Sequence, residues 1–228
     1  MNPCIIPEVP IDIQGDNRWM SQHERHVSEA KEREPDVIMI GDSIIQKLQS
    51  SPIWNDLFEP LHCLNFGIGG DLTQGVLWRI QSGILDNIKP KACVLHVGTN
   101  NFGNTPDEIS EGILTIIKEI KSKLPECYII LLDLLPRGAR PNELRVRNSK
   151  VNEIIHEKVK SISRLEVITV NTGLLQSDDT LSAQDMLDYL HPTDTCYRKI
   201  FEPVHELLLQ ILGEAKDMDK EIIETQLI

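Results

Sequence analysis

Short apolar runs alternate with longer amphipathic stretches from about residue 36 to residue 213. Each apolar run is continuous and closes on, or is followed by, Gly, Asn or Pro, as strands buried on both faces of a sheet tend to do. The runs predict strands at residues 37–41, 63–67, 92–98, 128–135 and 165–171. The amphipathic stretches predict helices at residues 19–33, 43–50, 72–82, 106–123, 144–161 and 193–213.

The helix at 106–123 has the clearest start signals. Thr105 is a candidate N-cap, Pro106 occupies the first helical position, and Glu108 stands three residues after the cap, which is the pattern of a capping box. Alternation of strands and helices predicts an α/β fold, a three-layer doubly wound (flavodoxin-like) parallel sheet with helices on both faces. In such folds ligands bind beyond the carboxyl ends of the strands.

The 228-residue length fits one large domain, since about 100 to 200 residues per domain is only a soft prior. We expect a domain at 16–213, preceded by an N-terminal extension at 1–15 and followed by a polar tail at 214–228 that either frays or contacts a partner. The sequence shows no internal repeat.

Composition and charge narrow the function classes. The chain is 40% hydrophobic and 25% charged, as is usual for a soluble globule, and its formal net charge of -12 argues against nucleic acid and anionic membrane surfaces. Prolines and Glu8 break the apolar N-terminus, so it does not read as a signal peptide, and no apolar run approaches the ~20 residues of a membrane span. Five cysteines without paired spacing predict reduced thiols in a cytoplasmic protein and show no zinc-binding pattern, and we expect no cofactor.

Polar and small residues collect where the predicted strands end. Gly41-Asp42-Ser43 follows the first strand, Gly67 to Asp71 the second, Gly98 to Asn101 the third, and Pro136-Arg137 the fourth. At a strand-to-helix turn the hydroxyl of Ser43 would be exposed as a nucleophile beside the free amides of a helix N-terminus. The alternative is that Asp42 or Ser43 is simply an N-cap, which is the commoner use of both residue types.

A serine nucleophile needs a general base held by a carboxylate. In "DYLHP" the side chains of Asp188 and His191 are three residues apart, so Asp188 would orient the imidazole while its other nitrogen faces outward. The alternative is a turn with an exposed histidine. We discount His96 as a core histidine with one hydrogen bond, and four others as helical: His23, His26, His156 and His205.

An oxyanion hole is the third requirement. The backbone amides of Ser43 and Gly70 and the side-chain amide of Asn100 are the candidate donors. The alternative is that "GIGG" and "NN" form only tight turns. The glycines are not a dinucleotide-binding fingerprint, because Leu72 occupies the third glycine position.

Taken together, Gly41-Asp42-Ser43, Gly70, "GTNN" and "DYLHP" resemble the four blocks of the SGNH, or GDSL-type, hydrolases. Seven further segments lie between Asp16 and Leu212 and resemble the catalytic α subunits of the intracellular platelet-activating factor acetylhydrolase Ib family: "LNFGIGGD", "VLWRI", "NIKPK", "VGTNN", "LLPRG", "RNSKVNE" and "HELLLQIL".

The resemblance implies a serine esterase that removes an acetyl group from 1-alkyl-2-acetyl-glycerophospholipids through an acetyl-enzyme, without a metal. It assigns the triad to Ser43, Asp188 and His191 and the oxyanion hole to Ser43, Gly70 and Asn100. A small acyl pocket is implied at Ile44, Thr99 and Leu190, side chains whose bulk would leave room for little beyond acetyl.

The resemblance also implies partners: a homodimer or a heterodimer with a paralogous subunit, and a WD-repeat propeller regulatory subunit. Two alternatives stay open, a short-acyl esterase acting on another acetylated substrate and a mainly non-catalytic partner of the propeller. Two places depart from the family pattern. Asp133 stands where a glycine is expected, and "PTDTCYRK" replaces a glycine-containing stretch after His191.

Overall fold

A computed structural model describes residues 1–170 and 173–226. The helices are α1 (Arg18–Glu32), α2 (Ser43–Leu48), α3 (Thr73–Arg79), α4 (Pro106–Lys123), α5 (Glu143–Lys158) and α6 (Asp194–Gln226). The strands are β1 (Val37–Gly41), β2 (Cys63–Gly67), β3 (Ala92–His96), β4 (Tyr128–Leu132) and β5 (Leu165–Ile168).

The strands form one parallel sheet in the order β2-β1-β3-β4-β5. The predicted α/β fold is confirmed, and this strand order is the flavodoxin-like one, in which the chain changes direction of winding between β1 and β3. Ser43 and Asn100 follow the carboxyl ends of β1 and β3, the point at which folds of this kind bind their ligands.

Side-chain alternation along the strands divides the core into two layers. Ile38 and Ile40 of β1 face a cluster with α3, α4 and α5, whereas Val37 and Met39 face a second cluster with α2 and α6. The isoleucines on the inner face of α4 are all buried: Ile109, Ile113, Ile116, Ile117 and Ile120. The capping box predicted at Thr105 and Glu108 is present.

Three strands are shorter than predicted at their carboxyl ends. β3 ends at His96, β4 at Leu132 and β5 at Ile168. The apolar residues Val97, Leu134 and Leu135 are buried in loops beyond the sheet, and hydrophobicity alone does not distinguish a buried loop from a strand. β5 is an edge strand with an exposed Glu166, and the last predicted residue of this strand, 171, lies outside the described residues.

The structure continues on both sides of the segment 16–213. α6 continues to Gln226 rather than ending at residue 213, because the segment from Glu214 to Gln226 contains neither Gly nor Pro to stop a helix. Within the N-terminal extension Cys4 is fully buried, and an added Cβ on Gly112 of α4 would lie 2.9 Å from its side chain. The start of the extension, around Cys4, therefore packs against α4.

Candidate active site

Ser43 is the first residue of α2 and lies two residues after the end of β1. Asp42 is the N-cap, and one of its carboxylate oxygens accepts a hydrogen bond of 2.9 Å from the amide of Ile44. The cap interpretation therefore applies to Asp42, which leaves the hydroxyl of Ser43 for other contacts. An added Cβ on Gly41 would lie 2.2 Å from the carbonyl oxygen of His96, so only glycine lets β1 approach β3 at this point.

His191 lies between Ser43 and Asp188. Its Nε2 is 2.9 Å from Oγ of Ser43, and its Nδ1 is 2.7 Å from Oδ2 of Asp188. The Ser43 contact joins residues 148 positions apart in the sequence. Ser43 was predicted from one segment of the sequence, and Asp188 and His191 from another. The three side chains form a continuous hydrogen-bonded chain.

The loop that carries this pair is held by its own backbone. The amide of Leu187 donates to the carbonyl oxygen of His191 at 2.9 Å, and Tyr189 adopts a left-handed conformation with φ of 58°. Burial opposes ionisation of Asp188, but hydrogen bonds from the amides of His191 and Leu190 and from the imidazole outweigh it and lower the pKa of Asp188 to about 2. Asp188 is therefore an acceptor at neutral pH, which fixes a proton on Nδ1 of His191.

Asn100, in the loop after β3, lies beside the loop after β2 that contains Gly70. The amide of Asp71 donates to the carbonyl oxygen of Ile68 at 3.2 Å, and Gly70 within that turn has φ of 80°, a conformation that favours glycine. Nδ2 of Asn100 donates to the carbonyl oxygen of Asp71 at 3.1 Å. A side-chain amide carries two hydrogens, so one N–H of Asn100 remains for a ligand.

The residues of the suggested acyl pocket have different surroundings. Ile44 and Thr99 are buried, and Leu190 is partly exposed. Thr99 is the most constrained, because its carbonyl oxygen accepts from Arg137 at 2.8 Å and from Arg147 at 2.9 Å. The carbonyl oxygen of Ile44 accepts from the hydroxyl of Tyr197 at 2.8 Å.

A buried ion pair supports the loop of Gly70, and sequence reasoning missed it. Arg79 and Asp71 are both fully buried and lie 2.8 Å apart. Burial raises the pKa of Asp71, although the charge of Arg79 and the hydrogen bond from Trp19 act against this rise. Arg79 also donates to the carbonyl oxygens of Phe66 at 2.7 Å and Gly41 at 3.3 Å. The "VLWRI" segment contained the arginine, but no local signal marked its side chain as buried.

His96 differs from its prediction in one respect. It is fully buried in β3, as expected, but neither ring nitrogen has a hydrogen-bond partner among the described residues. Its Nδ1 lies 3.7 Å from Oδ1 of Asp42, which is beyond hydrogen-bond distance. The buried imidazole of His96 therefore lies beside Asp42, the N-cap of α2, without a hydrogen bond to it.

The two departures from the family pattern also have defined places. Asp133 faces helix α5 rather than the crevice, because its Oδ1 lies 2.9 Å from Nε2 of His156. Burial raises the pKa of Asp133 despite this contact. The segment after His191 begins α6, where Oγ1 of Thr193 accepts from the amide of Cys196 at 3.3 Å, and it supplies the Tyr197 that bonds to Ile44.

Comparison with known proteins places this geometry in a family. A family model described as GDSL-like lipase/acylhydrolase matches residues 39–199. The chain belongs to the GDSL-like lipase/acylhydrolase family. Residues 39–199 contain the hydrogen-bonded chain of Ser43, His191 and Asp188, and this hydrolase is a carboxylic ester hydrolase.

Two curated relatives and one solved structure illustrate the likeness. A platelet-activating factor acetylhydrolase IB subunit alpha2 from Gallus gallus is 49% identical over 216 residues, which cover 95% of this chain and 94% of the relative. A platelet-activating factor acetylhydrolase IB subunit beta homolog from Drosophila melanogaster is 48% identical over 214 residues, covering 94% of this chain and 95% of that one. A GDSL-like lipase from Bacteroides thetaiotaomicron has the same fold, with a TM-score of 0.69 at 18% identity over 85% of this chain and 98% of that chain.

The family resemblance drawn from the sequence motifs is thereby confirmed. Within the part of the chain that the structure describes, no helix combines the length and the apolar character needed to cross a membrane.

Proposed function

We propose that this hydrolase removes the acetyl group from platelet-activating-factor-like 1-alkyl-2-acetyl-glycerophospholipids. The observation that carries the proposal is the chain of contacts from Asp188 through His191 to Ser43, at 2.7 and 2.9 Å. The names of the relatives that match 94% to 95% of the chain supply the substrate class.

In the first half-reaction Oγ of Ser43 attacks the ester carbonyl carbon while Nε2 of His191 accepts the hydroxyl proton. Asp188 stays ionised and stabilises the imidazolium. When the tetrahedral intermediate collapses, His191 gives the proton to the departing alcohol oxygen and the acetyl group remains on Ser43. Water then attacks this acetyl-enzyme with His191 again as base, which releases acetate and restores the serine.

The negative oxygen of each tetrahedral intermediate needs donors. The amides of Ser43 and Gly70 and the free N–H of Asn100 are assigned this role. The hydrogen bond from Asn100 to the carbonyl oxygen of Asp71 supports the assignment, because it holds the asparagine beside the turn of Gly70. Preorganised donors of this kind stabilise developing charge without reorganisation cost.

Short acyl groups are favoured by the residues assigned to the acyl pocket, Ile44, Thr99 and Leu190. Their bulk restricts the space beside Ser43, and the buried positions of the first two leave them little freedom to move aside. Turnover of acetyl, butyryl and octanoyl esters should fall in that order. Preference for the octanoyl ester would contradict this pocket.

The decisive experiment compares Ser43→Ala with Ser50→Ala. Ser50 is exposed in the turn after α2, so its substitution controls for loss of a nearby hydroxyl. Ser43→Ala should abolish acetyl-ester hydrolysis and labelling by an organofluorophosphate, whereas Ser50→Ala should behave as the unaltered protein. Undiminished hydrolysis by Ser43→Ala would refute the mechanism. Faster turnover of an acetylated sugar than of an acetyl phospholipid would replace the substrate and keep the triad.

We also propose that the hydrolase assembles with a second subunit, either a copy of itself or a paralogue, and that a WD-repeat propeller protein binds the pair. The pairing of subunits is supported by the relatives, which are named as subunits, and the propeller partner by the resemblance of the sequence motifs alone. Sedimentation of the purified chain tests the homodimer, since a species that stays at 25.9 kDa at every concentration would exclude it. Mixing with the paralogue or the propeller protein tests the other two assemblies.

A further inference from the structure

Arg137 stands beside the suggested acyl pocket and has no role in the mechanism above. It follows β4 by a few residues and is half-buried. Its Nη1 donates to the carbonyl oxygen of Thr99 at 2.8 Å and to the hydroxyl of Thr99 at 3.1 Å. The guanidinium carbon lies 4.8 Å from the ring centroid of Phe102. Three contacts therefore hold this cation over one wall of the pocket.

Arg137 also borders an open cleft with a volume of ≈ 570 Å³, which is lined as well by Asp188, Tyr189 and Leu190. The next residue, Gly138, donates from its backbone amide to the carbonyl oxygen of Tyr189 at 2.8 Å. The loop of Arg137 is thus fastened to the loop that carries His191. Arg137 bonds to one residue assigned to the acyl pocket, Thr99, and shares a cleft with another, Leu190.

We propose that Arg137 closes the outer end of the acyl pocket and limits the length of the acyl chain. The inference rests on the proposed acetyl-ester hydrolysis and adds a fourth, charged wall to the pocket. An acetyl methyl group would end before the guanidinium. A longer acyl chain would have to displace Arg137 from Thr99 and Phe102, or else lie against the guanidinium and exclude water from it. The second arrangement is unfavourable because apolar atoms do not replace the lost hydration of a cation.

The surroundings of Arg137 make displacement costly. None of its contacts among the described side chains is a carboxylate, and burial lowers the pKa of Arg137, with the negative charges of Asp42 and Asp188 opposing that change. A cation that is already partly desolvated gains most from the two hydrogen bonds to Thr99. The stacked Phe102 restricts it further.

The experiment measures kcat/KM for p-nitrophenyl acetate, butyrate and hexanoate with the unaltered protein, Arg137→Ala and Arg140→Ala. Arg140 lies in the same loop, and its side chain is exposed, which makes it a matched control. Arg137→Ala should raise the butyrate-to-acetate ratio of kcat/KM by about 10-fold or more, the effect of admitting additional methylenes to a pocket. Arg140→Ala should keep the ratio of the unaltered protein.

A variant that retains apolar packing guards against a failure to fold. Arg137→Leu covers Thr99 and Phe102 without a charge, and the ratio should rise in this variant too. Equal losses for all three esters in both variants would mean that Arg137 only supports Thr99, and would overturn the proposal. A fourth substrate, an acetyl ester that carries a phosphate, completes the test: a loss confined to this ester would make Arg137 an anion-binding residue and would also overturn the proposal. Failure of the unaltered protein to hydrolyse any acetyl ester would instead refute the proposed function itself.

Discussion

Asp71→Asn should destabilise the protein far more than the loss of an ordinary surface charge. Asp71 and Arg79 are fully buried, with 2.8 Å between their charged groups. Replacing the carboxylate by an isosteric amide leaves the buried guanidinium with neutral acceptors only, among them the carbonyl oxygens of Phe66 and Gly41. Breaking a buried ion pair from one side costs about 3–5 kcal/mol, because the remaining charge is uncompensated.

The matched control is Asp86→Asn. Asp86 pairs with Lys123 at a similar distance, 2.7 Å, but its side chain is 52% exposed. Exposed pairs contribute about 0–1 kcal/mol. Urea unfolding at neutral pH, followed by circular dichroism, should therefore give a free energy of unfolding about 3–5 kcal/mol lower for Asp71→Asn and at most about 1 kcal/mol lower for Asp86→Asn.

Thermal unfolding provides a second measurement. For a chain of this size each kcal/mol shifts Tm by about 2–4 °C, so Asp71→Asn should lower Tm by roughly 6–20 °C. Equal losses of stability in Asp71→Asn and Asp86→Asn would refute the reasoning. The same result would show that relaxation or water entry compensates the buried guanidinium.

Two further predictions concern pH and the oxyanion donors. Burial lowers the pKa of His23 to about 4 and of His26 to about 3, with the charge of Arg79 adding to both shifts. The unfolded chain therefore binds these protons first, and stability should be complete above pH 6.5 and fall as pH drops toward 3. His26→Phe should reduce that slope by about 1.4 kcal/mol per pH unit in urea titrations, and an unchanged slope would exclude His26 as a cause. Asn100→Ala should lower kcat for acetyl esters by about 10² to 10³-fold, and an unchanged kcat would remove Asn100 from the oxyanion hole.

The features that the sequence predicts are those that follow from local order. Ser43 follows directly on an apolar run, and Asp188 and His191 are three residues apart, so each signal is contained within a short segment. The fold rule that ligands bind at the carboxyl ends of parallel strands then indicates that these segments meet. This reasoning predicts that His191 and Ser43 lie near each other, but it does not predict the 2.9 Å contact between their side chains.

Features that depend on which side chains meet across the core were not predictable. Arg79 lies within the helix predicted at 72–82, where no local signal marks its side chain as buried, yet it is fully buried against Asp71. His96 was expected to form one hydrogen bond. The nearest carboxylate oxygen, Oδ1 of Asp42, instead accepts from the amide of Ile44 and lies 3.7 Å from the imidazole. The sequence gives no sign of this arrangement. The contact of Asp133 with His156 likewise depends on how α5 packs on β4.

Arg79 links the two parts of the proposed active site through two backbone carbonyl oxygens and one carboxylate. Its guanidinium donates to the carbonyl oxygen of Gly41, two residues before Ser43, and to that of Phe66, at the end of β2. It also pairs with the side chain of Asp71, whose carbonyl oxygen accepts from Asn100. One cation therefore fixes the turn before the proposed nucleophile, Ser43, relative to the loop of the proposed oxyanion donor Gly70. Because preorganised geometry is what gives such donors their effect, a residue that would touch no substrate atom sets the distance on which the proposed catalysis depends.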